Sequence, residues 1–121
     1  EALRDSREDE ARRLAGEYSD IFGPGNFFLE MQDHSLQWDA PVMRGVRKLA
    51  SQTGLPLVVT NDAHYMRHSD ARAHEILLCI QTGKTMALPR EQRMHFSTDE
   101  FYLKTRAEME KLFGDTPEAL D

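Results

Sequence analysis

The sequence predicts a small α/β protein, and three observations lead to this fold class. The predicted elements alternate in the order helix, strand, helix, strand. The stretch Leu57–Thr60 is apolar without alternation, which is typical of a strand covered on both faces of a parallel sheet. Glycine and proline residues separate the predicted elements. A chain of 121 residues is long enough to bury one small core.

The first half of the chain is predicted to contain two helices, each followed by a strand. A helix over residues 6–22 has its apolar residues at three-to-four spacing, namely Ala11, Leu14, Ala15, Tyr18 and Phe22. The turn at residues 23–26 ends it, and a short strand follows at residues 27–31. A second helix over residues 38–53 ends at Gly54, and the strand Leu57–Thr60 comes next. Its inward residues are expected to be Val42, Val46, Leu49 and Ala50.

The second half begins with a third helix, for which Ser69 is the predicted N-cap and Gly83 the end. Its apolar stripe is Ala73, Ile76, Leu77 and Ile80. Helical periodicity is lost after Gly83, so we expect an α/β part at residues 1–83 and a connecting segment at residues 84–121. Within that segment, residues 101–103 are a candidate strand and residues 105–108 form a capping box for a fourth helix. Residues 116–120 predict the start of a further helix, and both termini suggest a piece of a longer polypeptide.

Composition limits the classes of function. The net charge is −6 and no basic block is present, so strong autonomous binding to nucleic acid is not expected. Cys79 is the single cysteine, which rules out an internal disulfide and fits a reducing cytoplasm. No apolar run is long enough to span a bilayer, and no signal-peptide pattern is found. We therefore expect a cytoplasmic location without membrane contact.

The most informative pair of polar residues is Asp62 and His64, directly after the predicted strand Leu57–Thr60. Side chains two residues apart on an extended chain point to the same side. A carboxylate and an imidazole are ligands that zinc or manganese takes from proteins. Two ligands do not define a site, however. The spacing alone favours a turn in which Asp62 caps the next segment and His64 is a buried neutral imidazole.

Three further residues are weaker candidates. Asn61 is placed either to orient a metal ligand or to satisfy the turn. His34 follows the first predicted strand, where it either contacts a metal ligand or a phosphate group or lies in a surface loop. Glu30 lies within that strand and needs a partner if it is buried, so it either makes a structural ion pair or supports the metal cluster.

The other polar or reactive residues are expected to be structural or solvated. His68 is expected to be exposed, and Cys79 to be a small core residue. His74 and Glu75 are adjacent in the third helix and therefore point about 100° apart, which favours capping and packing over a shared metal. An ordinary solvated surface is expected for Arg90, Arg93 and Lys104.

Four stretches of the sequence resemble a known family. They are Phe28–His34, Leu55–Tyr65, Ala73–Thr85 and Phe96–Lys104. In this order they are similar to the C-terminal part of the polymerase-and-histidinol-phosphatase (PHP) domain of bacterial DNA polymerase III alpha subunits. The last two stretches are the most specific, because stand-alone phosphoesterases of the superfamily lack that continuation.

The resemblance implies a fold and a metal site. The fold would be a distorted (β/α) barrel of about seven parallel strands, with this chain supplying its last helix–strand units and the start of the link to the palm domain. Asp62 and His64 match the last aspartate–histidine pair of the family's metal cluster, whose other ligands lie in motifs before residue 1. The implied cofactors are divalent ions of the zinc, manganese or magnesium type. Cys79 does not match the family's ligand cysteine.

The resemblance also implies a function for the parent protein. That protein would be a DNA-directed DNA polymerase, a nucleotidyltransferase of DNA replication, with possible 3′–5′ exonuclease activity in the PHP domain. Its partners would be DNA and other replisome subunits, such as the sliding clamp and the proofreading subunit. The fragment alone is expected to be inactive and to bind little DNA. The alternatives are a stand-alone phosphoesterase such as a histidinol phosphatase, and a metal-free scaffold domain.

Overall fold

A computed structural model describes residues 1–120 as a mixed α/β structure. The described residues contain four α-helices and one two-stranded parallel sheet. The elements are α1 (Glu8–Phe22), β1 (Leu29–Met31), α2 (Asp39–Thr53), β2 (Leu57–Val59), α3 (Ala71–Thr82) and α4 (Arg106–Phe113). The chain divides into two compact units. Unit 1 comprises Glu1–Thr60 together with residues 106–120, and unit 2 comprises Asn61–Thr105.

Unit 1 is built on a β–α–β arrangement. Strands β1 and β2 pair in parallel with Leu29 opposite Leu57 and Met31 opposite Val59, and α2 makes the connection between them. Gly54 ends α2 in the left-handed conformation, with φ at 71°, and donates its backbone N–H to the carbonyl of Ala50. This confirms the helix–strand order and the helix end that the sequence predicts.

One apolar cluster forms the core of unit 1. Its buried members are Ala11, Ala15, Leu29, Met31, Val46, Leu49, Phe113 and Ala119. The predicted inward faces of α1 and α2 are therefore largely confirmed. Tyr18 and Phe22 are corrections, because both are about half exposed and stack on Phe27 at the surface of the unit.

Unit 2 contains α3 and the segments on either side of it. The backbone N–H of Leu103 donates to the carbonyl of Tyr65, and Tyr65 and Tyr102 form an isolated parallel bridge. The predicted strand at residues 101–103 is thus reduced to a single bridge. Residues 84–98 contain only a 3-10 turn at Arg90–Gln92, which agrees with the loss of periodicity there.

Helix α3 differs from the prediction in its start and in the face that it buries. It begins at Ala71 after a 3-10 turn, His68–Asp70, in which Asp70 rather than Ser69 accepts a backbone hydrogen bond, from Arg67 at 3.0 Å. The predicted stripe is exposed: Ile76, Leu77 and Ile80 are 42%, 55% and 70% accessible. The buried residues are Leu78 and Cys79, so the core position predicted for Cys79 is confirmed.

The compact units do not coincide with the predicted division at residues 83 and 84. That division concerns the intact polypeptide and stays a prediction. Among residues 1–120, no helix has the length and apolar character needed to cross a bilayer.

Candidate metal-binding site

Asp62 and His64 lie next to each other in unit 2. The Oδ1 atom of Asp62 is 3.1 Å from Nε2 of His64, and the two side chains are 51% and 37% exposed. The prediction that they share one side of the chain is therefore confirmed. The backbone does this through a tight turn rather than a fully extended chain, since the N–H of Ala63 donates to the carbonyl of Asn61 at 2.8 Å.

The backbone of His64 is fixed by the segment that contains Phe101. The N–H of His64 donates to the Phe101 carbonyl at 2.8 Å, and the Tyr65 N–H donates to the same oxygen at 3.3 Å. The side-chain amide of Asn61 donates to the carbonyl of Tyr102 at 2.7 Å. This contact supports the turn-stabilising alternative for Asn61, while a role in orienting a ligand stays a prediction.

The rings of three other residues lie close to the imidazole of His64. Phe96 and Phe101 meet it edge-on, with ring centroids at 4.7 and 5.8 Å, and the His74 ring lies 5.7 Å away. Burial lowers the pKa of His74 below its ordinary value of 6.5, and the neighbouring His64 lowers it further. The His64 ring is therefore held between hydrophobic edges and a histidine whose neutral form is favoured.

The donor types of Asp62 and His64 fit a divalent metal, but two ligands are fewer than such a site needs. Within the described part of the chain, no third histidine, cysteine, aspartate or glutamate ligand atom lies within 4.8 Å of both. The pair offers one oxygen and one nitrogen that are half-exposed and adjacent. The pair could therefore supply only part of the ligands of a metal site.

His34 and Glu30 belong to unit 1, and a site shared with Asp62 and His64 stays a prediction. His34 is buried, with 3% exposure, so the alternative of a surface histidine is wrong. Its backbone N–H donates to the buried carboxylate of Asp39 at 2.8 Å. Glu30 is exposed and accepts a hydrogen bond from Thr60 instead of making the expected structural ion pair. The outward orientation follows from its place between two inward residues of β1.

A pocket of about 380 Å³ lies beside α3 in unit 2. Its lining includes Tyr65, His74, Glu75, Phe96 and Asp99. The hydroxyl of Tyr65 is buried, without a hydrogen-bond partner among the described residues, and burial raises its pKa. His74 and Glu75 contact different groups, as adjacent positions on a helix require.

Two basic residues that were expected to be solvated are buried instead. The side chain of Arg93 is 8% exposed and pairs with Glu75, which also lies within 4.0 Å of Arg72 and Arg90. The side chain of Lys104 is 2% exposed, and its ammonium group lies 4.4 Å from the centre of the Tyr102 ring. Residue spacing does not predict either contact. Arg93 and Glu75 belong to separate segments, and Lys104 and Tyr102 belong to a segment without regular secondary structure.

The Glu75–Arg93 pair is expected to make the free energy of unfolding depend on pH. The hydrogen bond from Arg93 holds the pKa of the Glu75 carboxyl below its ordinary value of 4.5. A depressed pKa in the folded state adds stability that is complete above pH 4.5 and is lost as the pH falls through the folded value. We expect Glu75→Gln to lower the free energy of unfolding at pH 7 and to lower it less at pH 3.

Urea unfolding at pH 7 and pH 3 measures the free energy of unfolding of Glu75→Gln and of the wild type. Glu17→Gln, which changes an exposed helical glutamate, is the control. If Glu75→Gln lowers the free energy of unfolding by the same amount at pH 7 and at pH 3, packing rather than charge accounts for the effect of Glu75.

No family model matches the sequence of this chain. Curated relatives that match nearly the whole chain at 40–45% identity belong to one class of protein, the DNA polymerase III alpha subunits.

The chain is 45% identical over 120 residues to the subunit of Saccharopolyspora erythraea, which is 98% of the chain and 10% of that protein. It is 45% identical over 116 residues to the Treponema pallidum subunit, covering 96% of the chain and 10% of the relative. It is 40% identical over 120 residues to the Mycobacterium tuberculosis H37Rv subunit, with 98% and 10% coverage. The chain thus matches a segment of DNA polymerase III alpha subunits and spans about a tenth of their length.

Proposed function

We propose that this chain is part of a DNA polymerase III alpha subunit and that Asp62 and His64 are ligands in a metal cluster of its PHP domain. The observation that carries the proposal is identity of 40–45% to such subunits over almost the whole chain. The contact of an aspartate oxygen with a histidine nitrogen at 3.1 Å supports the metal assignment. Zinc, manganese and magnesium are the candidate ions, and the other ligands would come from elsewhere in the intact polypeptide.

Residues of this chain would bind the metal ion and orient its ligands. Asp62 would supply a carboxylate oxygen and His64 an imidazole nitrogen, and the bonds to the Phe101 carbonyl would hold that part of the backbone in place. The edges of Phe96 and Phe101 would limit rotation of the imidazole. When bound, divalent metals would supply Lewis acidity and an activated water for phosphodiester hydrolysis, consistent with a 3′–5′ exonuclease.

The polymerase activity would belong to other parts of the subunit. We propose that the whole protein acts in the cytoplasm as a nucleotidyltransferase on primed DNA, together with other replisome subunits such as the sliding clamp and the proofreading subunit. A net charge of −6 argues against a large direct DNA contact by this segment.

The alternative of a stand-alone phosphoesterase, such as a histidinol phosphatase, is less well supported. The similarity to polymerase subunits extends over 120 of the 121 residues and so includes the connecting segment. A metal-free scaffold domain is the second alternative. It differs from our proposal in metal content.

Mutation of the intact alpha subunit tests the proposal. We expect Asp62→Asn and His64→Ala each to weaken metal binding at least roughly 10- to 100-fold. That is the loss usually seen when a residue hydrogen-bonded to a metal ligand is changed. Any exonuclease activity should fall with the metal content, while primer extension largely persists because its active site lies elsewhere. Elemental analysis and both activity assays measure these effects.

Asp20→Asn, which changes an exposed aspartate of α1, is the matched control and should alter none of the three quantities. If metal content and exonuclease activity are unchanged in both Asp62→Asn and His64→Ala, the assignment of these residues is wrong. A purified wild-type subunit without stoichiometric metal would instead support the scaffold alternative.

A further inference from the structure

A second set of metal-ligand atoms converges in unit 2, and it includes neither Asp62 nor His64. The Nε2 atom of His68 is 3.1 Å from Oδ2 of Asp99 and 3.9 Å from Oε1 of Glu100. All three ligand atoms lie within 4.8 Å of one another. Among residues 1–120, no other three ligand atoms of histidine, cysteine, aspartate or glutamate lie this close together. We propose that His68, Asp99 and Glu100 form a divalent-cation site, hereafter the His68 site.

The spacing of the three atoms suits a first-row metal ion. Bonds of about 2.0–2.2 Å in tetrahedral geometry place neighbouring ligand atoms about 3.3–3.6 Å apart. The distances from His68 to the two carboxylates, 3.1 and 3.9 Å, bracket that range. Small side-chain rotations would therefore bring all three atoms to bonding distance around one ion.

The two segments that carry the ligands are fixed by backbone hydrogen bonds. His68 begins the 3-10 turn that the Asp70 carboxylate stabilises by accepting the N–H of Arg67. On the other segment, the Phe101 carbonyl, one residue after Glu100, accepts two N–H groups from the stretch that leads to His68. Binding would thus require little ordering of the backbone.

Neighbouring side chains also orient the ligand side chains. The ammonium group of Lys104, whose side chain is 2% exposed, is 3.3 Å from Oε2 of Glu100. This contact leaves Oε1 as the oxygen nearest His68. The Tyr102 ring meets the His68 ring edge-on at 5.3 Å, which restricts the imidazole. Such outer contacts are what align the ligands of protein metal sites.

Charge and donor type define the class of ion. One imidazole and two carboxylates suit zinc or manganese, with water completing the coordination. Lys104 offsets one of the two negative charges, so the formal charge of the group with neutral His68 is −1. We therefore expect micromolar rather than nanomolar affinity. A bound ion would join residue 68 to residues 99 and 100 and stabilise unit 2.

Calorimetric titration of the 121-residue chain with zinc chloride tests the His68 site. We expect one equivalent to bind, and we expect His68→Ala and Asp99→Asn each to weaken binding at least about 10-fold. Both side chains are more than half exposed, so neither change removes core packing. Glu91→Gln, at another exposed carboxylate of unit 2, is the control and should leave the affinity unchanged.

Two more measurements separate this site from the Asp62–His64 pair. The double variant Asp62→Asn/His64→Ala should keep the zinc equivalent. In nuclear magnetic resonance spectra, zinc should shift the ring signals of His68 and leave those of His95 in place. The inference is overturned if binding does not saturate below millimolar zinc, if His68→Ala binds as the wild type does, or if the double variant loses the equivalent.

Discussion

Replacement of Phe113 by alanine is expected to lower the free energy of unfolding by about 3–5 kcal/mol, the usual range for a buried phenylalanine. Phe113 is 1% exposed and is the largest fully buried side chain among the described residues. It brings α4 into the core cluster of unit 1, which α1, β1 and α2 also form. The loss combines the transfer of the ring from water with the cavity that remains, since packed neighbours relax only in part.

Phe28→Ala is the matched control because Phe28 is 49% exposed. We expect its cost to be below about 1 kcal/mol, as for other surface substitutions. Urea unfolding followed by far-ultraviolet circular dichroism gives both values. Similar losses in the two variants would mean that α4 is not part of the folded core.

Asp39→Ala is expected to cost about 2–4 kcal/mol, because it leaves two backbone donors without their acceptor. Asp39 is 8% exposed, and its Oδ2 atom accepts the N–H of His34 at 2.8 Å and that of Leu36 at 3.0 Å. This carboxylate thereby fixes the loop between β1 and α2. It also lies in the first turn of α2, where negative charge is favourable.

Asp39→Asn separates the two contributions, since the amide keeps an oxygen acceptor and removes the charge. We expect less than half the loss seen with alanine. Thermal and urea unfolding of both variants decide the matter. If asparagine is as harmful as alanine, the charge rather than the hydrogen-bonding geometry stabilises this loop.

Local patterns in the sequence were sufficient for the elements of unit 1. Helices α1 and α2 have ends that Gly23 and Gly54 set, and the apolar residues that the structure buries in them fall on the predicted faces. Both strands lie inside their predicted ranges. These features depend on residues close together in the chain, which is why the sequence alone reveals them.

Periodicity was a poor guide to burial in α3. It identified Ile76, Leu77 and Ile80 as a common apolar stripe, but the structure exposes that stripe and buries Leu78 and Cys79. Spacing tells which side chains share a helix face, and it carries no information on what packs against that face. The burial of Arg93 and Lys104 was missed for a related reason, since their partners and cover are fixed by the tertiary fold of unit 2.

The candidate metal sites show the same division between local and long-range information. The proximity of Asp62 and His64 follows from a two-residue spacing and was predictable. His68 meets Asp99 only through folding of the intervening residues, and an exposed histidine before a helix gave no sign of it.

Unit 1 is discontinuous, and this has a consequence for its synthesis. A ribosome releases residues 1–60 first, then all of unit 2, and only afterwards Phe113, the largest side chain of the unit 1 core. At about 5–20 residues per second, the nascent amino-terminal part waits roughly 3–10 seconds for that side chain. During this interval the cluster around Met31 lacks the packing partner that α4 supplies, so the apolar core of unit 1 stays incomplete. A polypeptide that terminates between residues 61 and 105 would never complete unit 1, although residues 1–60 are all present.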